Sequence, residues 1–182
     1  MAVVENPGTP LGEVAPDFNL PDTDGNRVSL QAGAEATVVY FTCNHCPYAI
    51  GWHQRMLDVA RDYADRGVRV LAISSNDPVR YPADSYEAMQ RRVSEEGPWE
   101  NHPYLFDEDQ SVARAYDAKT TPDVFVLDRE LRIRYRGAAD ADYQDDSHGA
   151  NWLRTALDQV LAGEEVTTPE TAPVGCSIKW RE

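Results

Sequence analysis

The stretch that most restricts the architecture is "ATVVYFT", residues 36–42, β-branched and aromatic with no polar alternation. Unbroken apolarity of that kind marks a strand covered on both faces of a sheet. From Pro47 onward, Ile50, Met56, Leu57, Ala60, Tyr63 and Ala64 recur at roughly helical spacing until Gly67 interrupts them, which predicts a helix with a glycine stop. "VRVLAISS" then supplies a second buried strand. The three together make a β-α-β unit whose connection is right-handed and whose strands are parallel.

The rest of the chain adds to that unit. Residues 17–30 hold two short apolar-polar stretches around "DTDG", a hairpin pattern. Residues 84–96 suit a helix capped by Asp84 or Ser85, "PYLFD" a short strand, and 109–118 a short helix around Val112, Ala113 and Tyr116. "DVFVLD" and "LRIRYRG" are two strands joined by a turn, hence antiparallel neighbours. A last helix over 150–161 presents Trp152, Leu153, Ala156, Leu157, Val160 and Leu161 to the core. Taken in order, these elements predict an α/β fold of the thioredoxin type, a central mixed β-sheet flanked by helices, with an N-terminal β-hairpin extension. At 182 residues and 42% apolar content the chain fits one domain, 1–182. Its aperiodic tail, 163–182, is expected to pack back on that domain.

Charge removes whole classes of function. Seventeen Lys and Arg against 31 Asp and Glu give a net charge of -14, which repels phosphate backbones and anionic lipid. Neither a nucleic-acid nor a membrane partner is expected. The start, "MAVVENPGTP", has no basic segment followed by an apolar run, so it lacks the marks of a secretory signal and a cytoplasmic location is expected. Three cysteines in such a setting do not make a disulfide scaffold.

Two of the cysteines fall in "FTCNHCPY", between the first buried strand and the helix. A cysteine at a helix start faces unsatisfied backbone N–H groups and the positive end of the helix dipole, which favours thiolate. Cys43 is thereby expected to attack a disulfide, and Cys46, one turn on, to resolve the mixed disulfide. A protonated His45 between them would stabilise thiolate and make the pair more oxidising, and Thr42 and Thr121 are grouped with it as tuning residues. Thr121-Pro122 stands just before a strand, where a thioredoxin-type fold places a cis-proline loop against the dithiol. Pro122 is expected to position an extended substrate. Cys176 is a possible third thiol, read either as a resolving group or as a small apolar anchor for the tail beside Ile178 and Trp180. A metal site would have to draw on Cys43, Cys46 and His45, His53 or Cys176, but no second CxxC or HxxxH completes it. No metal and no cofactor are therefore assigned. His148 reads as a surface residue near a helix start, Trp99 as an aromatic under a loop, and Asp17 as a turn former.

"GEVAPDFNLPDTDGNRVSL", "VVYFTCNHCPY", "TTPDVFVLD" and "YRG", in that order, resemble the thioredoxin-like branch of the alkyl hydroperoxide reductase and thiol-specific antioxidant family. The ending "PVGCSIKW" is similar to the tail of a subgroup in that branch. The resemblance covers about residues 10–180 and implies a redox pair at Cys43 and Cys46 and a cis-proline at Pro122. It implies a thiol-disulfide oxidoreductase acting on protein or small-molecule disulfides and thiols, with a thiol peroxidase acting on hydroperoxides as the alternative. Thr42 stands where thioredoxins usually carry tryptophan, and Asn44-His45 where they carry Gly-Pro.

Overall fold

A computed structural model describes residues 10–182. The stretch 1–9, on which the reading of no secretory signal rests, lies outside them. The sheet has five strands: β3 (Ala36–Thr42), β4 (Val68–Ser74), β5 (Tyr104–Phe106), β7 (Asp123–Leu127) and β8 (Ile133–Gly137), in the order β5-β4-β3-β7-β8. β4 runs parallel to β3 from Ala36↔Val68 to Thr42↔Ser74, and β5 parallel to β4. β7 and β8 run antiparallel, so the sheet is mixed. Before it, β1 (Asn19–Pro21) and β2 (Arg27–Ser29) form a separate two-stranded hairpin.

All seven residues of β3 are buried because each sheet face carries its own core. Val38, Tyr40, Val70, Ala72, Val124 and Val126 pack against Trp52, Met56, Val59 and Ala60 of α1 (Pro47–Tyr63) and Leu153, Ala156 and Leu157 of α4 (Asn151–Leu161). Alternate residues, Val39, Phe41, Leu71, Ile73, Phe125 and Leu127, face Leu30, Val112, Tyr116 and Ile178 on the other side. Strand side chains alternate faces, so two covered faces require an unbroken apolar run.

The inner face of α1 differs from the expected one. It is carried by Trp52, Met56, Val59, Ala60 and Tyr63, whereas Ile50 is 53% exposed and Ala64 is also on the surface. Ile50 lies two residues from Trp52, about 200° around the helix, and so points away from the sheet. The same face buries a cation. Arg55 donates to both carboxylate oxygens of Asp140 at 2.9 and 2.8 Å, and to Tyr143 O at 2.6 Å. Asp140 also accepts from Trp52 Nε1 and from the Ala150 amide, both at 2.8 Å. This cluster ties α1 to the loop that starts α4.

Ser85, not Asp84, caps α2 (Tyr86–Glu96) by accepting from the Ala88 amide at 3.1 Å. Asp84 closes a preceding 3-10 turn, Pro82–Asp84, and is fully buried. The helix expected over 109–118 is a single short turn, α3 (Ser111–Ala115). On α4, Trp152, Val160 and Leu161 pack only at the core margin.

The tail crosses the domain in three short contacts. Arg136 N donates to Pro169 O at 3.0 Å, and Thr171 N to Arg136 O at 3.1 Å. β9 (Cys176–Ser177) then pairs antiparallel with β6 (Thr120–Thr121). Lys179 N donates to Asn76 Oδ1 at 2.9 Å, and Ile178 is buried at 3% exposure.

Candidate active site

β3 ends at Thr42, opposite Ser74, and delivers Cys43 at the C-terminal end of the central strand. Cys43, Asn44 and His45 form a turn, and α1 begins only at Pro47, with Cys46 as its N-cap in extended geometry, φ -72 and ψ 127. The proline explains this: its ring bars the preceding residue from the helical region, while its own missing N–H costs nothing at the first helical position.

The turn is held from outside. Asp84 accepts from the Asn44 amide at 2.7 Å and from Asn76 Nδ2 at 2.9 Å, and pairs with His45 Nδ1. Asn44 Nδ2 donates to Ala83 O at 2.8 Å, and its Oδ1 accepts from Tyr104 Oη at 2.8 Å and Arg92 Nη1 at 3.0 Å. The His45 ring stacks on Tyr81 at an interplanar angle of 4°. The residues between the cysteines therefore have fixed positions, although only Asn44 and His45 themselves stand out in the sequence.

Both sulfurs are fully buried. Cys46 packs with Cys43 and Ala49 in a small buried cluster, with Cys176 against it, and the neighbouring thiols act on its ionisation. These two thiols, Cys43 first, pull the Cys46 pKa well below the ordinary thiol value against the cost of burial. The Ala49 amide, at the third helical position, adds to the effect without forming a complete capping bond. In the protonated state Cys46 Sγ donates to Thr121 O at 3.2 Å. That single carbonyl is outweighed by the several donors that favour the thiolate. Cys43 moves the opposite way: the bond it gives Cys46, then burial, then the Asp84 charge hold its pKa far above normal. Its sulfur is 3.5 Å from Thr121 Oγ1. The helix start expected beside Cys43 lies at Pro47, with Cys46 as its N-cap. The helix end reaches Cys46, three residues later, because Pro47 fixes where the helix begins.

The Thr121–Pro122 bond is cis, and Thr121 touches both sulfurs of the pair. Among the residues considered for metal, His53 is engaged elsewhere, by Glu96 at 2.8 Å and by the Trp99 ring. The group close enough to share an ion is Cys43, His45 and Asp84, within 4.8 Å of one another among the described residues; Asp84 was not foreseen in it. Trp99 packs on Tyr104, His148 lies 3.5 Å from Asp145, and Asp17 accepts from the Phe18 amide at 2.8 Å.

Directly after Pro122, Asp123 is fully buried, with one oxygen accepting from the Lys119 amide at 3.0 Å and the other unpartnered among the described residues. Burial pushes its pKa up to about 6 from 3.8. A raised folded-state pKa means that the contribution of Asp123 to stability is fully present below about pH 4 and is lost as pH climbs through about 6. The shift corresponds to about 3 kcal/mol. Asp123→Asn is expected to abolish this decline and to be the more stable protein at neutral pH. Denaturant titrations at acid and neutral pH measure it, and an unchanged pH dependence in the variant would contradict it.

The AhpC/TSA family model matches residues 11–136. The chain belongs to the AhpC/TSA family. Membership assigns it to thiol redox chemistry in general. The matched region holds Cys43, Cys46 and Pro122, while Cys176 lies beyond it. An uncharacterized conserved protein of Geobacillus kaustophilus is similar at 41% identity and a TM-score of 0.89, over 96% of this chain and 94% of the other. A hypothetical protein of Sinorhizobium meliloti 1021 is similar at 38% identity and 0.89, over 96% of each. A putative thioredoxin of Neisseria meningitidis shares the fold at 21% identity and 0.66, over 85% of this chain and 93% of the other. No curated protein matches the sequence. Among the described residues of this AhpC/TSA member, no helix is long and apolar enough to cross a membrane.

Proposed function

We propose that the protein is a thiol-disulfide oxidoreductase in which Cys46 attacks and Cys43 resolves. The observation that carries this reading is the placement of Cys46 as the N-cap of α1, inside a buried cluster with Cys43, Ala49 and Cys176. The Cys46 thiolate attacks one sulfur of a disulfide substrate, forming a mixed disulfide and releasing the first substrate thiolate. That thiolate takes the Cys43 proton. Cys43 then attacks Cys46 Sγ, which breaks the mixed disulfide and releases the second substrate thiolate, which takes a proton from water. The substrate gains two electrons, and the protein keeps a Cys43–Cys46 disulfide that a cellular thiol reduces. Thr121 and Pro122 border the path of an extended substrate, and Asp84 holds His45 and Asn44 in place. A cytoplasmic thiol pool suits this cycle.

The buried state of both sulfurs also favours a small oxidant, which supports a peroxidase as the second reading. There the Cys46 thiolate cleaves a hydroperoxide O–O bond, becomes a sulfenic acid and releases an alcohol. Cys43 then condenses with it, forming the same disulfide and water.

Reduction of insulin disulfides by dithiothreitol tests the first reading. The wild-type protein is expected to accelerate it catalytically, and Cys43→Ser and Cys46→Ser to give no acceleration. No acceleration by the wild type, together with rapid turnover of hydrogen peroxide, would overturn it in favour of the second.

A further inference from the structure

The third cysteine lies outside the matched family region, yet it is part of the sulfur cluster. β9 pairs Cys176 with Thr121 and Ser177 with Thr120. Thr121 is also the residue whose carbonyl oxygen lies 3.2 Å from Cys46 Sγ and whose hydroxyl oxygen lies 3.5 Å from Cys43 Sγ. The approach is close enough to require glycine before the cysteine. A side-chain carbon at Gly175 would fall 2.3 Å from Thr121 O and 3.2 Å from Pro122 N.

The chain on both sides holds this strand in place. Thr171 is bonded to Arg136, and Ile178 N donates to Lys119 O at 3.3 Å. Arg181 N donates to Gln110 Oε1 at 3.0 Å. Anchoring is the work of Ile178, which is buried, while Cys176 is only half-buried. Its distinctive property is its packing against the Cys43–Cys46 pair; burial first, and then the bond to Cys46, raises its own pKa. An extended polypeptide pairing along Thr120–Thr121 would occupy the place that β9 already takes.

We propose that Cys176 is a third exchanging thiol, carried by a tail strand that stands in for an extended disulfide substrate. Resting on the reading of Cys43 and Cys46 as a redox pair, the step is an internal exchange. Cys176 sulfur attacks Cys46 Sγ of the Cys43–Cys46 disulfide. One S–S bond breaks and one forms, and the proton leaving Cys176 ends on Cys43. No electrons enter or leave. The product, a Cys46–Cys176 disulfide, locks β9 over Thr120–Thr121 and closes that edge to polypeptide substrates until a thiol reduces it.

Trypsin separates the two possible bonds. It leaves Cys43 and Cys46 together on peptide 28–55 and puts Cys176 on peptide 155–179. The full-length reduced protein is treated with one equivalent of diamide, acid-quenched, alkylated, digested and mapped by mass spectrometry. The wild type is expected to give both an internal 28–55 disulfide and a 28–55/155–179 cross-link, and Cys43→Ser to give the cross-link as its main product. A wild type with only the internal disulfide, together with Cys43→Ser in which Cys176 remains alkylated, would overturn the proposal while leaving the dithiol reading intact. The absence of any disulfide on 28–55 would overturn the dithiol reading itself, and this proposal with it.

Discussion

Cys46→Ser is expected to slow the first reaction of the reduced protein with an aromatic disulfide reagent several-fold at neutral pH. Cys43→Ser is expected to keep that first step and to stall as a stable mixed disulfide on Cys46. An ordinary thiol with a pKa of about 8.5 is only a few per cent ionised at pH 7. Cys46, with its neighbouring thiols and the helix start acting on it, is largely ionised there, a thiolate fraction roughly thirtyfold above an ordinary thiol's that the lower nucleophilicity of a low-pKa thiolate partly offsets. Cys43 gains nothing comparable. When Cys46 is removed, the bond that most raises its pKa disappears, but burial and the Asp84 charge remain, keeping its thiolate fraction below that of a free thiol. Stopped-flow thiol kinetics on both variants measure the difference. A mixed disulfide that accumulates on Cys43 in Cys46→Ser at the wild-type rate would reverse the assignment.

The largest effect on stability is expected at Asp140. Asp140→Ala leaves the buried Arg55 guanidinium without its carboxylate and deprives Trp52 Nε1 and the Ala150 amide of their acceptor. Breaking one side of a buried pair costs about 3–5 kcal/mol, because the remaining charge is uncompensated. For a chain of this length that is a fall in Tm of roughly 6–20 °C. Asp140→Asn keeps a carbonyl for Trp52 and Arg55 and is expected to lose less. Thermal unfolding by circular dichroism checks both. A loss below about 1 kcal/mol for Asp140→Ala would mean that Arg55 finds full compensation in the Asp142 and Tyr143 carbonyls it already contacts.

Elements whose residues answer to one dominant force were legible in the sequence. β3 and β4 read correctly because burial on both faces leaves no polar-apolar alternation in "ATVVYFT" or "VLAIS", whose only hydroxyls on small side chains are Thr37, Thr42 and Ser74. The β7–β8 hairpin likewise has β-branched and aromatic residues on both sides of a short turn. β6 and β9 escaped detection because each is two residues long. A strand that short has no period, and its pairing is set by the Gly175 approach and the Ile178 anchor at distant points of the chain.

At the site, the cysteine pair was legible from spacing, but not which sulfur the helix favours. The signal was present in Pro47, whose constraint on the preceding residue makes Cys46 the N-cap. Asp84 read, alongside Ser85, as a candidate helix cap because Asp and Ser both favour that position. Only the three-dimensional placement of its turn beside Asn44 and His45 reveals that it grips the dithiol loop.

The most direct test of the account is the ultraviolet absorbance of thiolate, followed against pH in the reduced wild type, Cys43→Ser and Cys46→Ser. Serine at position 43 keeps a hydroxyl donor for Cys46, so Cys43→Ser is expected to retain a thiolate transition well below an ordinary thiol's, and Cys46→Ser to lose it. A low transition that survives in Cys46→Ser and vanishes in Cys43→Ser would contradict the assignment of Cys46 as the attacking sulfur.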